Sequence, residues 1–416
     1  MEHSDYDIII FGATGFVGQL TADALAQQLP ANSKLRWAIA GRSASKLNAL
    51  RDTLSQHHPI APDVVVADSF DFDALLKLCE ATSVVVSTVG PYALYGENLV
   101  HACVETGTDY CDLTGESHWV LQMISRYQER AAISGARIVH SCGFDCIPSD
   151  LGVYFLQQNA QDTFSQPCDE INMRVSKLKG KFSGGTYASL LNLVKELNET
   201  PGLRKAVASP YCFCPSDHAF STKQIKHGGA AYDALTDSWM APFVMEGINT
   251  RTVHRSNALF DGAYGESFRY DEAVLTGKGR KGRKRATRLS WGLGILMFCA
   301  SVPLLSDMLS RWLLPKPGQG PSADEREAGC YELVFFGKVR GKGKVRARVT
   351  GAQDPGYGST CKMLAQAALC LSCDVPKHAK HGGFWTPATL FGDTLISRLQ
   401  DNADMRFSIE SDEGTN

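Results

Sequence analysis

The sequence predicts an α/β protein of two domains, in which a doubly wound parallel sheet is followed by an α+β domain built on a mainly antiparallel sheet. Short runs of valine and isoleucine alternate with helix-like segments through the first third of the chain, as in a parallel sheet covered on both faces. A glycine-rich loop follows the first of these runs. After residue 150 the pattern changes to strands with hairpin signals. We therefore divide the chain into 1–147, 148–375 and a C-terminal segment, 376–416.

The spacing of apolar residues locates the predicted elements. In the first domain the predicted strands are 7–11, 35–40, 64–67, 83–89 and 137–140, and the predicted helices are 16–29, 71–79, 95–106 and 119–134. In the second domain we predict strands at 171–178, 332–339 and 344–351 and helices at 186–197 and 361–371. The last two strands share a glycine-containing turn at 341–343, which predicts a hairpin.

Composition limits the functional classes. The 416 residues are 44% hydrophobic and 21% charged, an ordinary globular balance that excludes wholesale disorder. The net charge of −2 gives no general reason to expect a nucleic-acid partner. The first residues lack the basic and apolar regions of a secretory signal peptide, so we expect a cytoplasmic protein. Its thirteen cysteines are then mostly buried thiols, because a reducing compartment disfavours disulfides.

The loop after the first predicted strand carries a glycine at every third position, in the segment Gly12-Ala13-Thr14-Gly15-Phe16-Val17-Gly18. It stands between a strand and a helix, which is the setting of a Rossmann-type dinucleotide site. Gly12 permits the tight turn, Gly15 lets backbone N–H groups approach a pyrophosphate, and Gly18 lets the helix pack closely on the sheet. The helix N-terminus adds partial positive charge. The alternative is a tight turn without a ligand.

Polar side chains follow the second predicted strand, at the position that distinguishes NAD from NADP. An NAD site places Asp or Glu there to bind the ribose 2′-hydroxyl, whereas this chain has Arg42, Ser43 and, one helical turn on, Lys46. Cations and a hydroxyl suit a 2′-phosphate, so we predict NADP(H) as the cofactor. The alternative for Arg42 is a solvated surface arginine. Asp68, after the third strand, is equally an adenine-side contact or a cap.

The turn after the fourth strand is predicted to border the nicotinamide half of the cofactor. Thr88, Val89, Gly90 and Pro91 stand at the carboxyl edge of the sheet, where such sheets bind their ligands. A Gly-Pro pair is also typical of a plain turn, which is the alternative.

Motifs spread over nearly the whole chain together resemble the saccharopine dehydrogenase-like oxidoreductases. They are Phe11-Gly12-Ala13-Thr14-Gly15-Phe16-Val17-Gly18, Ala40-Gly41-Arg42, Val89-Gly90-Pro91-Tyr92 with Gly96, Tyr110-Cys111-Asp112-Leu113-Thr114-Gly115-Glu116, Cys142-Gly143-Phe144-Asp145-Cys146-Ile147-Pro148-Ser149-Asp150, Ser183-Gly184-Gly185-Thr186, Asp354-Pro355-Gly356-Tyr357 and Gly383-Phe384-Trp385-Thr386-Pro387-Ala388. Within that group the chain resembles the branch that contains the trans-acting enoyl reductases and the saccharopine dehydrogenase-like proteins of lipid membranes. The resemblance implies NADPH-dependent reduction of a carbon–carbon double bond in a lipid or polyketide intermediate.

Besides orienting the cofactor, a protein that catalyses hydride transfer often supplies a proton donor. We expect such a donor near the carboxyl ends of the predicted parallel strands, where these sheets bind their ligands. Tyr92, Tyr110 and Asp145 are our predicted catalytic residues on that ground. Tyr92 has packing on the cofactor as its alternative role, and Asp145 has helix capping.

No metal is predicted. Cys370, Cys373, His378 and His381 fall within a short window that invites comparison with a zinc site. Cys370, however, belongs to an apolar helical segment, the ligand spacing is unusually tight, and two lysines stand among the other residues.

The composition of a segment near 277–314 differs from that of the rest of the second domain. A basic run from Lys278 to Arg288 precedes an uncharged stretch, 289–306, that contains Trp291 and Pro303. We predict peripheral docking on an anionic membrane leaflet, with a buried helix, a homodimer face and a disordered loop as alternatives. The run lacks the interleaved aromatic residues of a nucleic-acid site.

These observations predict an NADPH-dependent reductase of an apolar, lipid-like small molecule, cytoplasmic and peripheral on the inner face of a membrane. Two alternatives remain open: an oxidoreductase of amino-acid C–N bonds, and a non-catalytic dinucleotide-binding scaffold associated with lipid. An apolar cavity beside the nicotinamide would favour the reductase of a lipid-like molecule, and clustered arginines would favour the amino-acid oxidoreductase. A cofactor cleft filled by side chains would favour the non-catalytic scaffold.

Overall fold

The computed structural model describes residues 4–180, 184–302, 304–306, 308 and 320–410. The strands are β1 Tyr6–Phe11, β2 Trp37–Gly41, β3 Asp63–Val66, β4 Thr82–Ser87, β5 Asp109–Asp112, β6 Arg137–Val139, β7 Glu170–Lys179, β8 Ala231–Asp233, β9 Ser238–Pro242, β10 Arg269–Gly277, β11 Cys330–Val339, β12 Gly343–Gly351, β13 Gly383–Trp385 and β14 Met405–Glu410. The helices are α1 Phe16–Gln27, α2 Ala44–His57, α3 Phe72–Glu80, α4 Tyr92–Tyr95, α5 Glu97–Thr106, α6 Ser117–Ser134, α7 Ile147–Phe164, α8 Gly184–Glu199, α9 Leu203–Ala206, α10 Glu246–Leu259, α11 Gly279–Ser301, α12 Ala323–Glu327, α13 Gly358–Leu369, α14 Pro387–Leu390 and α15 Gly392–Asn402.

The first sheet is parallel throughout, in the order β3-β2-β1-β4-β5-β6-β13. Ile8, Ile9 and Ile10 in β1 are fully buried because helices cover both faces, which explains the uninterrupted apolar run in the sequence. The strand order reverses between β1 and β4, and ligands of such sheets bind in the crevice at that point. The predicted doubly wound sheet is confirmed.

The second sheet has the order β14-β12-β11-β7-β10-β9-β8 and is antiparallel except where β7 pairs with β10. The predicted hairpin is confirmed, with Phe335 of β11 opposite Ala347 of β12. Helix α7 connects the two sheets and packs against β11. A Cβ at Gly152 of this helix would lie only 2.3 Å from the Phe335 ring, so the glycine permits the close contact.

The C-terminal segment 376–416, which the sequence set apart, contributes a strand to each sheet. β13 extends the first sheet beside β6, and β14 extends the second beside β12. β13 was not predicted, because a strand of three residues is too short to show a periodicity.

A buried ion pair fastens this returning segment to the first sheet. Arg137 of β6 donates through Nε to Asp109 of β5 at 3.0 Å, and it also donates to the backbone carbonyl of Val375 at 2.7 Å. Lys377 completes the cluster, with its Nζ 2.6 Å from Asp109 Oδ1. Both members of the Arg137–Asp109 pair are almost fully buried, so neither charge can be left without a partner at low cost.

We predict that Arg137→Met lowers the free energy of unfolding by about 3 kcal/mol, because Asp109 would keep only Lys377 as a counter-charge. Urea-induced unfolding followed by circular dichroism measures this. The control is Arg130→Met, which removes an exposed ion pair with Glu105 and should cost less than about 1 kcal/mol. Equal losses in the two variants would contradict a structural role for the buried pair.

Candidate active site

The glycine loop is built by close contacts at its two ends. Gly12 follows β1 with a φ of +87°, and a Cβ there would lie 2.4 Å from the Val89 side chain. A Cβ at Gly18 would lie 2.3 Å from the carbonyl oxygen of Gly12, because α1 packs directly on the turn. Neither position has room for a side chain, in keeping with the roles predicted for these glycines.

Gly15 differs, because it borders open space. It is the N-cap residue of α1, and the nearest heavy atom to a Cβ there would be the Gly12 carbonyl oxygen at 3.4 Å. The first-turn backbone N–H groups of Phe16, Val17 and Gly18 lie beside this concavity without intrahelical acceptors. Donors at a helix N-terminus fit a pyrophosphate. The carbonyl oxygen of Thr14, in the same loop, accepts a hydrogen bond from Gln19 Nε2 at 3.0 Å.

Exposed cations stand at the end of β2, on the same edge of the sheet. Arg42 and Lys46 are exposed, and in the described part of the chain neither makes an ion pair. Ser43 occupies the N-cap position of α2, but its hydroxyl makes no capping bond and lies 3.3 Å from the Ser45 hydroxyl. These three side chains are therefore available to hold a 2′-phosphate, a role that stays a prediction.

The remaining residues predicted to bind the cofactor make hydrogen bonds and packing contacts just after β3 and β4. Asp68 Oδ1 accepts from the Phe70 N–H at 2.9 Å, so this carboxylate caps a turn at the end of β3. Thr88 donates from Oγ1 to the Phe11 carbonyl at 3.1 Å, which holds the end of β4 beside β1. Val89 packs against Gly12, and Gly90-Pro91, a cis peptide, leads into α4 with Pro91 as its N-cap residue.

The two tyrosines predicted as proton donors both form hydrogen bonds within the protein. The Tyr92 hydroxyl donates to the Ser87 carbonyl at 2.9 Å, and the Tyr110 hydroxyl donates to Asp112 Oδ2 at 3.0 Å. Burial, and then the Asp112 carboxylate, raise the pKa of both phenols well above the usual value. These contacts favour a positioning role for both side chains over direct proton donation.

Asp112 is the centre of this buried network. Its carboxylate also accepts from His140 Nδ1 at 2.7 Å and from the Thr114 and Ser141 backbone N–H groups at 3.1 and 2.9 Å. These donors belong to the loops that leave β5 and β6, so one carboxylate fixes both. The other ring nitrogen of His140, Nε2, is buried without a hydrogen-bond partner among the described residues. The sequence analysis missed His140, although it is the last residue of a predicted strand.

Asp145 stands on the second of these loops, with its carboxyl group beside Gly115 of the first loop. It is half-buried, and a Cβ at Gly115 would lie 3.5 Å from Asp145 Oδ1 and 3.6 Å from the Met245 side chain. Burial, and then the nearby Asp112 carboxylate, raise the pKa of Asp145 to about 7. Asp145 therefore holds a proton close to neutral pH.

Glu116 is a second residue that the sequence analysis did not single out. It is buried, and its two carboxylate oxygens accept from the Tyr92 and Ala93 N–H groups at 2.7 and 3.0 Å. Ser189 of α8 donates to the same carboxylate at 2.7 Å. Glu116 thus fixes the start of α4 and ties α8 to it. Ser183, which begins the predicted Ser-Gly-Gly-Thr motif, lies outside the described residues.

Comparison with known proteins places this geometry in a family. A family model described as the saccharopine dehydrogenase NADP binding domain matches residues 8–139. A trans-acting enoyl reductase of Mycobacterium tuberculosis is 36% identical over 412 residues, which cover 95% of this chain and 96% of that protein. The trans-acting enoyl reductase of Mycobacterium ulcerans is 34% identical over 409 residues, with the same coverage. The chain belongs to the trans-acting enoyl reductase family. A further Mycobacterium tuberculosis protein, 38% identical over 404 residues and 95% of either chain, carries a provisional form of that name.

Membership confirms the resemblance stated from the motifs. This family member is an NADP-dependent oxidoreductase, and its predicted cofactor, NADP(H), is confirmed by the matched binding domain. Saccharopine dehydrogenase (L-Glu forming) from Saccharomyces cerevisiae has the same fold, with a TM-score of 0.56 at 13% identity, covering 98% of this chain and 100% of that one.

Two further features concern metals and membranes. Cys370 is buried, and among the residues described no group of three or more histidine, cysteine or acidic side chains is placed to hold a metal ion. No helix within those ranges is both long and apolar enough to span a bilayer.

We predict that Arg42→Ala raises the dissociation constant for NADPH about thirtyfold, because a charge-assisted contact with the 2′-phosphate is lost. The weak affinity for NADH, which lacks that phosphate, should stay within about twofold. Titration of cofactor fluorescence measures both constants, and Arg51→Ala, an exposed arginine on α2 paired with Asp52, is the control. An equal loss for NADPH and NADH would show that Arg42 does not read the 2′-phosphate.

Proposed function

We propose that this protein reduces a carbon–carbon double bond conjugated to a carbonyl group, with NADPH as the reductant and a lipid or polyketide-type molecule as the substrate. The observation that carries the proposal is the half-buried Asp145 carboxyl group on the loop after β6, at the carboxyl edge of the parallel sheet, with its pKa raised to about 7. Reduction of such a bond requires a hydride at one carbon and a proton at its neighbour. Relatives of this chain over nearly its full length are named for enoyl reduction, which supports the same chemistry.

Each part of the site has a defined task in this reaction. Bound NADPH supplies the hydride for the carbon β to the carbonyl. The concavity at Gly15 and the cations after β2 bind and orient the cofactor. Asp145 delivers its proton to the α carbon, and the resulting carboxylate regains a proton from solvent. Asp112 and Glu116 fix the loop that carries Asp145 and the turn that carries Tyr92, so that Asp145 faces the substrate in one arrangement.

Amino-acid oxidoreduction is less well supported, because substrate carboxylates need free arginines. On the elements of the second domain that face the first sheet, Arg251 and Arg255 of α10 donate to the backbone carbonyls of Val207 and Phe213. Arg326 of α12 donates to the Pro321 carbonyl at 2.8 Å. Each of these guanidinium groups already donates to the backbone of the fold, which favours an apolar substrate.

We also propose that the reductase is a cytoplasmic protein that works at the inner face of a membrane. A lipid-like substrate is concentrated there, and the basic half of α11 is exposed where anionic headgroups would attract it.

NADPH oxidation across a matched panel of substrates tests the proposed function. We expect turnover of 2-enoyl thioesters that increases with acyl chain length, and none of imino acids such as the adduct of glutamate with an aldehyde. Turnover confined to imino acids would support the amino-acid alternative. Tight NADPH binding without turnover of any member would support the scaffold and overturn the proposal.

The pH dependence provides a separate test of Asp145. Its acid form is present below a pKa of about 7 and is lost as the pH rises, so the turnover rate should fall above that pH. Asp145→Asn should lower kcat about a hundredfold with little effect on KM, and it should remove this limb of the profile. Asp52→Asn, at an exposed position of α2, is the control. An unchanged profile in Asp145→Asn would exclude it as the proton donor.

A further inference from the structure

Helix α11 lies on the surface of the second domain with one narrow face against the protein. Its buried residues are Gly282, Ala286 and Ala300, whose spacing places them on one side of the helix. The Gly282 carbonyl accepts from Thr276 Oγ1 of β10 at 3.0 Å. Near the other end, Ala300 packs in a small cluster with Leu191 and Val194 of α8. All three buried positions are small residues, so the helix sits close to the fold and directs its larger side chains outward.

The opposite side of α11 carries two kinds of side chain in one continuous stripe. Steps of three and four residues align its members on one face. They are Arg280, Lys284, Arg288, Trp291, Ile295 and Phe298. The three apolar members are exposed by 70%, 57% and 64%, far more than is usual for side chains of their size. Cations therefore occupy the first turns of this stripe, which we call the docking face, and apolar side chains occupy the following turns.

The cations of α11 have no counter-charges within the part of the chain that the structure describes. Arg280, Lys281, Arg283, Lys284, Arg285 and Arg288 are all exposed and make no ion pair there. Lys278, just before the helix, pairs with Asp237 at 2.8 Å. No acidic residue occurs between Lys278 and Ser306 in the sequence. Six uncompensated positive charges on one helix indicate an anionic partner.

A cavity of about 430 Å³ opens beside the apolar half of the docking face. Trp291, Gly294, Ile295 and Phe298 line one wall, and the loop 228–230 lines the other. His227, next to that loop, is anchored through Nε2 to Asp271, so the second wall is held in place. The hydroxyl of Ser290, also in the lining, is buried without a hydrogen-bond partner among the described residues. The cavity is a largely apolar slot with one free polar group.

We propose that the docking face and this slot bind the surface of a bilayer that contains anionic phospholipid. The cations contact headgroup phosphates, Trp291 and Phe298 enter the interfacial region, and the end of one acyl chain occupies the slot. Charge complementarity favours this partner, because an apolar partner alone would leave the six cations unpaired. The proposal rests on the membrane location proposed for the reductase, and it supplies the surface and the lipid chemistry.

Helix α8 connects the buried side of α11 to the loop after β5. Ala300, opposite the docking face, packs on α8 through Leu191 and Val194, and Ser189 of α8 donates to Glu116 at 2.7 Å.

Sedimentation of the full-length protein with vesicles tests the charge requirement. Binding to phosphatidylglycerol–phosphatidylcholine vesicles should be strong at low salt, and binding to phosphatidylcholine alone should be weak. The triple variant Arg280→Glu, Lys284→Glu and Arg288→Glu should weaken binding about a hundredfold. The control variant replaces Lys338, Lys342 and Lys344 by glutamate. These lysines are exposed on the β11–β12 hairpin, and the change in net charge is the same. Equal losses in the two triple variants would overturn the proposal.

Fluorescence quenching by brominated acyl chains tests the apolar part. Bromine on the acyl chains should quench the portion of emission that Trp291→Phe removes. Ile295→Asp with Phe298→Asp should abolish vesicle binding and leave NADPH affinity and the reduction of soluble short-chain substrates unchanged. Lack of quenching would exclude insertion. A change from dimer to monomer in light scattering, without any change in vesicle binding, would assign the face to self-association instead and overturn the proposal. Since binding needs no turnover, its failure is distinct from failure of the reductase function.

Discussion

The hydrogen bonds accepted by the Asp112 carboxylate are the constraint on which the cleft depends. Tyr110 and His140 donate side-chain hydrogens to it, and one backbone N–H from each of two loops completes its set. A buried carboxylate is costly unless its lone pairs are used in this way. The network therefore holds the loops after β5 and β6 in a single arrangement. Glu116 on the first loop and Asp145 on the second take their positions from it, and the negative charge of Asp112 helps keep the neighbouring carboxyl protonated.

Local patterns were sufficient to predict five of the seven strands of the first sheet, the glycine loop and the hairpin. Gly12 is required locally by its φ of +87°, and Gly18 by the carbonyl oxygen of Gly12 six residues before it, so the spacing of the loop displays both requirements. The site was less predictable, because its decisive contacts join residues far apart in the chain. Position alone made Asp145 a candidate, but its raised pKa depends on burial beside Asp112. Nothing local marks Glu116 as the residue that joins α4 to α8.

The docking face and slot of the second domain were also not predictable from local patterns. The sequence presents the basic and apolar segments of α11 as successive blocks, and it gives no indication that they share a face. Once the helix forms, spacings of three and four residues bring Arg288 and Trp291 into one stripe, and small residues such as Ala286 occupy the other side. The loop at 228–230 completes the slot from about sixty positions away. Its contribution follows from the path of the chain, which no periodicity encodes.

Strand β13 has a consequence for biosynthesis. The edge of the first sheet beyond β6 is closed by residues 383–385, which the ribosome makes more than two hundred residues after β6. Arg137 likewise finds the backbone carbonyls that complete its hydrogen bonds only at Leu371, Val375 and Pro376. The first sheet is thus unable to complete its fold until residues 383–385 have been synthesised, and until then it presents an unpaired strand edge beyond β6. A fragment that stops before residue 383 would keep that edge exposed, whereas β13 covers it in the longer chain.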